Sequence, residues 1–189
     1  YVVRNGQGYS RFEHTSHGIA LDLMQFVPAN DPIKISRLTI KNQSGRPRRL
    51  SITAYVEWVL GATRAASAPF VVTEIDPETR AMFARNHWSA NFGTRVAFAD
   101  LGGRQQSWTG DRREFLGRNG TLDRPAALVG NKSLTNKVGC GLDPCGALQT
   151  PLELVPDSST DIVFLLGDAA PDEAALALPQ HHRDAAPSA

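Results

Sequence analysis

The sequence predicts an all-β protein built as a large antiparallel β-sandwich. Many short runs alternate apolar and polar residues, and glycine, proline, asparagine and aspartate separate these runs. No segment before residue 170 has a convincing helical period. With 189 residues, 41% of them apolar, the chain is long enough to bury a core of its own. We therefore expect two sheets packed face to face.

The first clear strand is GIALDLMQFVP, residues 18–28, which a proline ends. An Asn-Asp-Pro turn at 30–32 leads into the next strand, IKISRLTIKN, residues 33–42. The two strands begin a β-meander. Within the second, the phase of the apolar residues slips by one between Ile35 and Leu38, which predicts a β-bulge.

The most regular strand is RLSITAYVEWVL, residues 49–60, in which every second residue from Leu50 to Leu60 is apolar. A period of two indicates one buried face and one solvated face. The segment 43–47, QSGRP, joins it to the preceding strand, and its glycine and proline suit a hairpin. We expect these two strands to pair antiparallel.

The same short-strand rhythm continues downstream in FVVTEI, AMFARN and RVAFADL, residues 70–75, 81–86 and 95–101. Two further strands, LQTPLELV and TDIVFLLG, flank the turn Pro-Asp-Ser-Ser at 156–159. That turn predicts a second hairpin.

The composition changes after Gly167, so we divide the chain into a β-sandwich accessory domain at 1–167 and an alanine-rich tail at 168–189. A Pro-Asp-Glu cluster at 171–173 favours the start of a helix, and Pro179 is expected to end it. Because so short a helix is marginal alone, we expect a short helical or disordered tail, or a truncated linker.

Composition and charge exclude several classes of partner. The net charge is +1, from 20 basic and 19 acidic residues, which argues against nucleic acid or an anionic membrane surface as a partner. No apolar run reaches the roughly 20 residues that span a bilayer, and no signal peptide is visible, so we expect no membrane insertion. Since the chain starts at Tyr1 without methionine, we expect it to be cut from a longer protein. The only cysteines, Cys140 and Cys145, are expected to be reduced thiols.

Common catalytic motifs are missing: there is no G-x-S-x-G elbow, no Walker A loop and no H-E-x-x-H zinc site. His14 and His17 lie three residues apart in a strand or loop, where they would not share a face, and His181 and His182 lie in the tail. The glycines of 139–146 suit backbone turns. We expect no metal and no cofactor.

The run WTGDRREFLGRNG, residues 108–120, is the main candidate binding segment, and we expect it to be a glycine-punctuated loop. An aromatic face can stack on a sugar ring while charged forks bind hydroxyls. The alternative is a salt-bridged loop in which the two carboxylates neutralise the arginines. A glycosidase pair on one short loop is disfavoured, because such carboxylates must flank the substrate. Its candidate residues are Trp108, Asp111, Arg112, Arg113, Glu114, Arg118 and Asn119. Tyr9 and Arg11, in the earlier run GQGYSR, could also reach a ligand if that loop borders a cleft.

Several long segments resemble, in order, the cyclic β-1,2-glucan synthases, in the region that is similar to the glycoside hydrolase family 94 phosphorylases. The segments are GYSRFEHTSHGI, KISRLTIKNQSGRPRRLSITAYVEWVLG, TGDRREFLGRNG, PAAL and GLDPCGALQ. The resemblance covers Tyr1 to about Gly167 and implies a supersandwich of galactose-mutarotase type. In such enzymes a helical linker and an (α/α)6 barrel follow, and the barrel carries the general acid and the phosphate site.

The resemblance implies an accessory role in glucan processing, without a catalytic centre of its own. The parent enzyme would use UDP-glucose to build β-1,2-glucan, and its phosphorylase-like region would adjust chain length. Implied partners are β-1,2-glucan, the (α/α)6 domain of the same parent chain and a second copy in a homodimer, on the cytoplasmic side of the inner membrane. The run 108–120 would face the barrel or the glucan. An independent carbohydrate-binding module, using Trp88, Trp108 and the arginines, remains the alternative.

Overall fold

The computed structural model describes residues 1–129, 132–170 and 172–183, and most of these lie in antiparallel strands. The strands are β1 (Val2–Gly6), β2 (Tyr9–Ser16), β3 (Ile19–Phe26), β4 (Ile33–Asn42), β5 (Arg48–Glu57), β6 (Val72–Ile75), β7 (Met82–Arg85), β8 (Val96–Asp100), β9 (Ser107–Asp111), β10 (Pro144–Leu154) and β11 (Ser159–Ala169). An eight-stranded sheet has the order β1-β2-β3-β4-β11-β8-β7-β6, and a three-stranded sheet has the order β5-β10-β9. The predicted antiparallel β-sandwich is confirmed.

Helices are few in the described ranges. They are α1 (Arg64–Ser67), α2 (Arg112–Leu116) and α3 (Asp172–His182), with single 3-10 turns at Ala68–Phe70 and Ala126–Leu128. The first two helices are one turn long, which is too short to show a helical period in the sequence.

The predicted meanders are confirmed where consecutive strands stay in one layer. Strand β3 pairs with β4 from Ile19 opposite Asn42 to Phe26 opposite Ile35. Strand β7 pairs with both β6 and β8 in the same way. Strands β1 to β4 therefore form one end of the large sheet in chain order, and β6 to β8 form the other end.

Both predicted hairpins are wrong, because each of the two turns crosses from one sheet to the other. Strand β5 pairs with β10, while β4 pairs with β11. Buried Asn42 ties the two crossings together: its Nδ2 donates to the carbonyl oxygens of Arg46 at 2.9 Å and Leu154 at 3.0 Å, and its backbone N–H donates to Ser158 O at 2.9 Å. Glycine and proline allow the chain to reverse, but they do not decide which layer it enters.

The predicted β-bulge in β4 is also wrong, because the register of β4 is continuous with β3 and β11. The slip in apolar phase has another cause. Ile33 and Ile35 belong to a core cluster on the outer face of the large sheet, whereas Ile40 belongs to the cluster between the sheets. Both faces of this strand are covered, so the apolar positions change phase without an extra residue.

Two apolar clusters therefore stabilise the large sheet. The inter-sheet cluster includes Trp58, Met82, Leu148 and Ile162, and the outer cluster is built around residues such as Phe98. Burial of these side chains is the main source of stability, at about 1.5–3 kcal/mol for each large residue.

The tail folds onto the outer cluster through α3. Leu178 packs against this cluster, and Pro179 is buried within a helix that continues to His182, so the predicted end of the helix at Pro179 is wrong. His182 Nε2 lies 2.8 Å from Asp31 Oδ2, and Arg183 Nε donates to Asp100 Oδ2 at 2.9 Å. These contacts offset the weak helical tendency of the tail. Pro171 and residues 184–189 lie outside the described residues.

The sandwich is closed along one edge and open along the other. Near β9 and β6, Gly110 N–H donates to Lys137 O at 2.7 Å and Thr73 N–H donates to Gly139 O at 3.1 Å, so the segment between them joins the two sheets. At the opposite edge β5 pairs, within the described residues, with β10 alone. A cleft of about 320 Å³ there separates β5 from the inner face of the large sheet.

Candidate functional site

The run 108–120 forms a strand-to-helix corner, so the expectation of a loop is wrong. Strand β9 ends at Asp111 and α2 begins at the next residue. Asp111 caps the helix, since its Oδ1 accepts a hydrogen bond from Arg113 N at 3.1 Å. On the same helix, Phe115 is buried and stacks on Tyr55 of β5 with ring centroids 4.5 Å apart. Capping and packing thus fix the direction of the charged side chains.

Trp108 is half-buried and packs against the inter-sheet core. Its Nε1 is buried and has no hydrogen-bond partner among the described residues. The Arg80 guanidinium carbon lies 5.8 Å from the ring centroid, which is cation-π distance. Trp108 therefore helps to hold the two layers together rather than presenting an open ring to solvent.

The two carboxylates of the run have partners that the sequence interpretation only partly anticipated. Asp111 Oδ2 accepts a hydrogen bond from Lys137 Nζ at 2.8 Å, and the side-chain Nε of Arg113 lies 3.7 Å from Asp111 Oδ1. Glu114 accepts from the hydroxyls of Thr109 and Thr135 at 2.6 and 2.8 Å and from Thr135 N at 2.8 Å. The idea that arginines neutralise Glu114 is therefore wrong in the described contacts.

Arg112 belongs to a group that we call the corner cluster, consisting of Glu57, Arg64, Arg112 and Asp143. Arg112 Nε donates to Glu57 Oε1 at 2.9 Å, and its Nη1 lies 3.6 Å from Asp143 Oδ2. Arg64 Nη1 donates to Glu57 Oε2 at 2.8 Å, while Nη2 donates to Asp143. Each arginine bridges both carboxylates, so the ends of β5, α1, α2 and β10 are joined.

The surroundings of Glu57 and Asp111 lower the pKa of each carboxyl group and so keep both groups ionised. Burial raises the pKa of Glu57, but hydrogen bonds from Arg112 and Tyr55 and the charge of Arg64 outweigh burial and lower the pKa below its usual value. Asp111 behaves likewise, since Lys137 and the backbone of Arg113 outweigh the effect of burial on its pKa.

Neighbouring groups respond to the same surroundings. Burial and the hydrogen bond to Glu57, at 2.8 Å, raise the pKa of Tyr55, so its hydroxyl stays protonated. Burial raises the pKa of Cys145 to about 12, which makes this free thiol unreactive. Cys140, the other free thiol, is exposed.

The corner cluster is neutral in total charge and remains partly open to solvent. The side chains of Arg112 and Glu57 are 35% and 33% exposed, which leaves guanidinium edges accessible. Planar, ordered arginines can bind hydroxyls or the carbonyl groups of a facing surface. A general acid needs a proton to donate, and Glu57 and Asp111 are held in the ionised form at neutral pH.

The remaining predicted residues lie apart from the corner cluster. Arg118 and Asn119 are exposed in the turn after α2. Tyr9 and Arg11 lie on β2, where Arg11 Nη2 forms an ion pair with Asp22 Oδ2 at 2.6 Å. Tyr9 is exposed and pairs in register with Phe26 in the eight-stranded sheet, whereas the strands of the corner belong to the three-stranded sheet.

Sequence reasoning missed Glu57, Arg64 and Asp143. Glu57 falls on the polar phase of its strand, and Asp143 precedes a proline, so neither attracts notice alone. The register places Glu57 opposite Cys145, two residues from Asp143. Knowledge of that pairing would have brought Glu57 and Asp143 together, whereas the position of Arg64 depends on how α1 folds back on β5.

Across residues 1–129, 132–170 and 172–183, no group of three or more histidine, cysteine, aspartate or glutamate side chains is arranged to hold a metal ion. In the same ranges, the helices are too short and too polar to cross a bilayer.

The two packed antiparallel sheets, with the charged corner between strand and helix, define a domain of the supersandwich class. The family model of the glycosyl hydrolase 94 supersandwich domain matches residues 1–185. The chain belongs to this family, as its sequence resemblance predicted.

Relatives agree with this assignment. The chain is 36% identical over 185 residues to the cyclic beta-(1,2)-glucan synthase NdvB of Rhizobium meliloti (strain 1021), covering 97% of this chain and 6% of that protein. It is 29% identical over 181 residues to the solabiose phosphorylase of Paenibacillus borealis, covering 94% and 23%. A solved polysaccharide lyase has the same fold, with a TM-score of 0.53 and 8% identity over 87% of this chain and 22% of the lyase. The chain thus spans less than a quarter of each of these proteins.

Proposed function

We propose that this chain is a non-catalytic domain of a cyclic β-1,2-glucan synthase. In this role it supports the phosphorylase-like (α/α)6 domain that adjusts glucan chain length. It contributes through the domain interface and through contact with the glucan. The proposal extends to this chain what the name of the 36% identical relative says of that relative.

The proposal rests on the ion pairs that the carboxylates at the corner form with neighbouring basic side chains. Glu57 and Asp143 are both held by arginines, and Asp111 is held by Lys137. The lowered pKa of Glu57 and of Asp111 keeps these two carboxylates from supplying a proton at neutral pH, whereas glycoside cleavage needs such a donor. The same pairing makes a rigid polar surface that a catalytic domain or a sugar can contact without reordering the side chains.

The wider setting is part of the same proposal. The domain would work within a larger membrane protein, on the cytoplasmic side of the inner membrane, with β-1,2-glucan as substrate and as part of a homodimer. Membrane attachment would then come from other parts of that protein. The low share of each relative that this chain covers supports a role as one module among several.

The test of the non-catalytic role is an activity assay on the 189-residue chain. The chain is incubated with β-1,2-glucan, with and without inorganic phosphate, and released glucose 1-phosphate and new reducing ends are measured. The expected result is neither product above the rate without protein. Release of either product, abolished by Glu57→Gln or Asp111→Asn, would show that the corner itself is catalytic.

The second candidate function is an independent carbohydrate-binding module. The observation in its favour is a set of exposed aromatic side chains away from the corner cluster, with Trp88 76% exposed. Such side chains on a surface are typical of sugar-binding modules, since an aromatic face can stack on a sugar ring.

A further inference from the structure

Exposed aromatic side chains gather where the β7–β8 connection meets the segment before β6. Trp88 is 76% exposed, Phe92 58% and Phe70 40%. The rings of Phe70 and Trp88 are 5.2 Å apart, centroid to centroid, with an angle of 38° between their planes. Phe70 thus supports one side of the indole, and most of the indole surface stays open to solvent.

The connection 86–95 is held in one conformation by its own hydrogen bonds. Gly93 N–H donates to Ser89 O at 2.9 Å, and Arg95 N–H donates to Phe92 O at 3.0 Å. Asn86 Oδ1 accepts from Trp88 N at 3.1 Å. A Cβ on Gly93 would lie 2.7 Å from Ser89 O, so the turn requires glycine. The aromatic residues are therefore presented by a preorganised turn.

A cavity of about 270 Å³ lies next to this turn, and of the three aromatic rings Phe92 lines it. We call Phe70, Trp88 and Phe92 the aromatic rim of this cavity. Its lining combines apolar and polar side chains: Leu60, Asn86, Phe92, Arg95 and Asp168. Arg95 Nε donates to Asp168 Oδ2, which cancels the net charge of the pair. Within the described residues, the hydrogen bond of this pair uses Arg95 Nε and Asp168 Oδ2, which leaves the Arg95 Nη groups and Asp168 Oδ1 for a ligand. A donor and an acceptor are thus available on a neutral pair.

We propose that this cavity and its aromatic rim bind a neutral saccharide. The face of Trp88 stacks on the C–H surface of a pyranose ring, and Arg95 and Asp168 bind neighbouring hydroxyls. A sugar phosphate is disfavoured, because the positive charge of Arg95 is already compensated. A protein partner is disfavoured too, since a small concave cavity suits a ring-sized ligand better than a flat protein interface does.

This site is separate from the corner cluster, and α1 and the 3-10 turn connect the two. Arg64 of α1 belongs to the corner cluster, and Phe70 at the end of the turn belongs to the aromatic rim. A glucan chain could contact both regions. Only the choice of β-1,2-linked glucose as ligand rests on the proposed function; the saccharide site itself rests on the cavity and its rim.

The test is a titration of the 189-residue chain with β-1,2-gluco-oligosaccharides, followed by tryptophan fluorescence and by isothermal calorimetry. Trp88 is far more exposed than Trp58 at 3%, so a change in accessible fluorescence reports mainly on Trp88. We expect saturable binding. Trp88→Ala should weaken it by about tenfold, and Trp88→Phe should retain part of the affinity.

Two further variants keep the test decisive. Asp168→Asn removes the charge balance and should weaken binding while leaving the fold intact, as checked by circular dichroism. Leu122→Ala, at a residue 63% exposed outside the rim, is the matched control and should bind normally. Binding of cellobiose but not of the β-1,2-linked sugar would support the saccharide site and contradict the proposed glucan. No binding of either sugar at about 10 mM, or self-association that Trp88→Ala abolishes, would overturn the saccharide site.

Discussion

Arg112 Nε lies 2.9 Å from Glu57 Oε1 and so joins the start of α2 to the end of β5. The next residue, Arg113, lies on the same one-turn helix, but its side chain is 63% exposed. Its Nε is 3.7 Å from Asp111 Oδ1, which is a loose ion pair. Two adjacent arginines thus have different roles. Arg112 holds the corner together, whereas Arg113 extends into solvent.

Arg112→Ala should therefore destabilise the domain more than Arg113→Ala does. Loss of Arg112 removes a charged hydrogen bond from Glu57 and leaves that carboxylate with one fewer cation, at a cost of about 1–2 kcal/mol. Loss of Arg113 should cost less than about 0.5 kcal/mol, as for most exposed pairs. Urea unfolding monitored by circular dichroism measures both, and equal effects would contradict the distinction.

The cap of α2 can be separated from its ion pair. Asp111→Asn keeps an oxygen that accepts from Arg113 N but loses the charge facing Lys137, whereas Asp111→Ala loses both. We expect Asp111→Ala to cost about 1–2 kcal/mol of unfolding free energy and Asp111→Asn roughly half as much. If the two variants were equally stable, the helix cap would contribute nothing.

Stability should fall in acid because three carboxylates have a lowered pKa in the folded state. These are Glu57, Asp111 and Asp161, and their usual values are 4.5, 3.8 and 3.8. As the pH falls, these carboxylates become protonated in the unfolded chain before they do so in the folded domain. The stabilisation is therefore fully present above about pH 5 and is lost as the pH falls through the pKa values of the folded state.

The measurement is the free energy of unfolding between pH 7 and pH 3. Asp161 accepts from Thr39 Oγ1 at 2.6 Å and is paired with Arg37, so Asp161→Asn should flatten the acid part of the curve. Glu153→Gln, at an exposed pair with Arg49, is the control and should leave the slope unchanged. Stability that is constant down to pH 3 would refute the role of these pairs.

Docking of the tail depends on a buried carboxylate. Asp100 is fully buried, accepts from Gln105 Nε2 at 2.9 Å and is paired with Arg183. Arg183→Ala should lower the free energy of unfolding by about 3 kcal/mol, because it leaves a buried charge without its cation. Arg118→Ala, at an exposed residue, should change it by less than about 0.5 kcal/mol. An Arg183 variant as stable as the Arg118 variant would mean that the tail is not part of the folded domain.

The strands could be predicted from the sequence more readily than their partners. The alternation in β5 and the turn before β4 locate these elements, because both are local properties of the chain. Whether β5 follows β4 in the same sheet depends on Asn42, whose bonds reach Leu154 more than a hundred residues away. Pattern reasoning has no access to such a contact.

The candidate site could likewise be predicted only in part, since its residues stand out in the sequence but their partners do not. Arg112 stands out in the sequence because it lies in a dense polar run, but its partners Glu57 and Asp143 follow only from the pairing of β5 with β10. Trp108 stands out for the same reason as Arg112. Its role in the inter-sheet core was not predicted, because the direction of its side chain depends on the sheet that β9 joins.

If the corner cluster supports a catalytic domain, mixing this chain with that domain should change its activity. The rate of β-1,2-glucan phosphorolysis by the cognate (α/α)6 domain is measured alone, with this chain and with the charge-reversed variant Arg112→Glu. We expect the chain to raise the rate and Arg112→Glu to lose most of the increase. The double variant Arg112→Glu with Glu57→Arg should keep a folded domain for comparison. An (α/α)6 domain whose rate is the same with and without the chain would contradict the supporting role of the corner cluster.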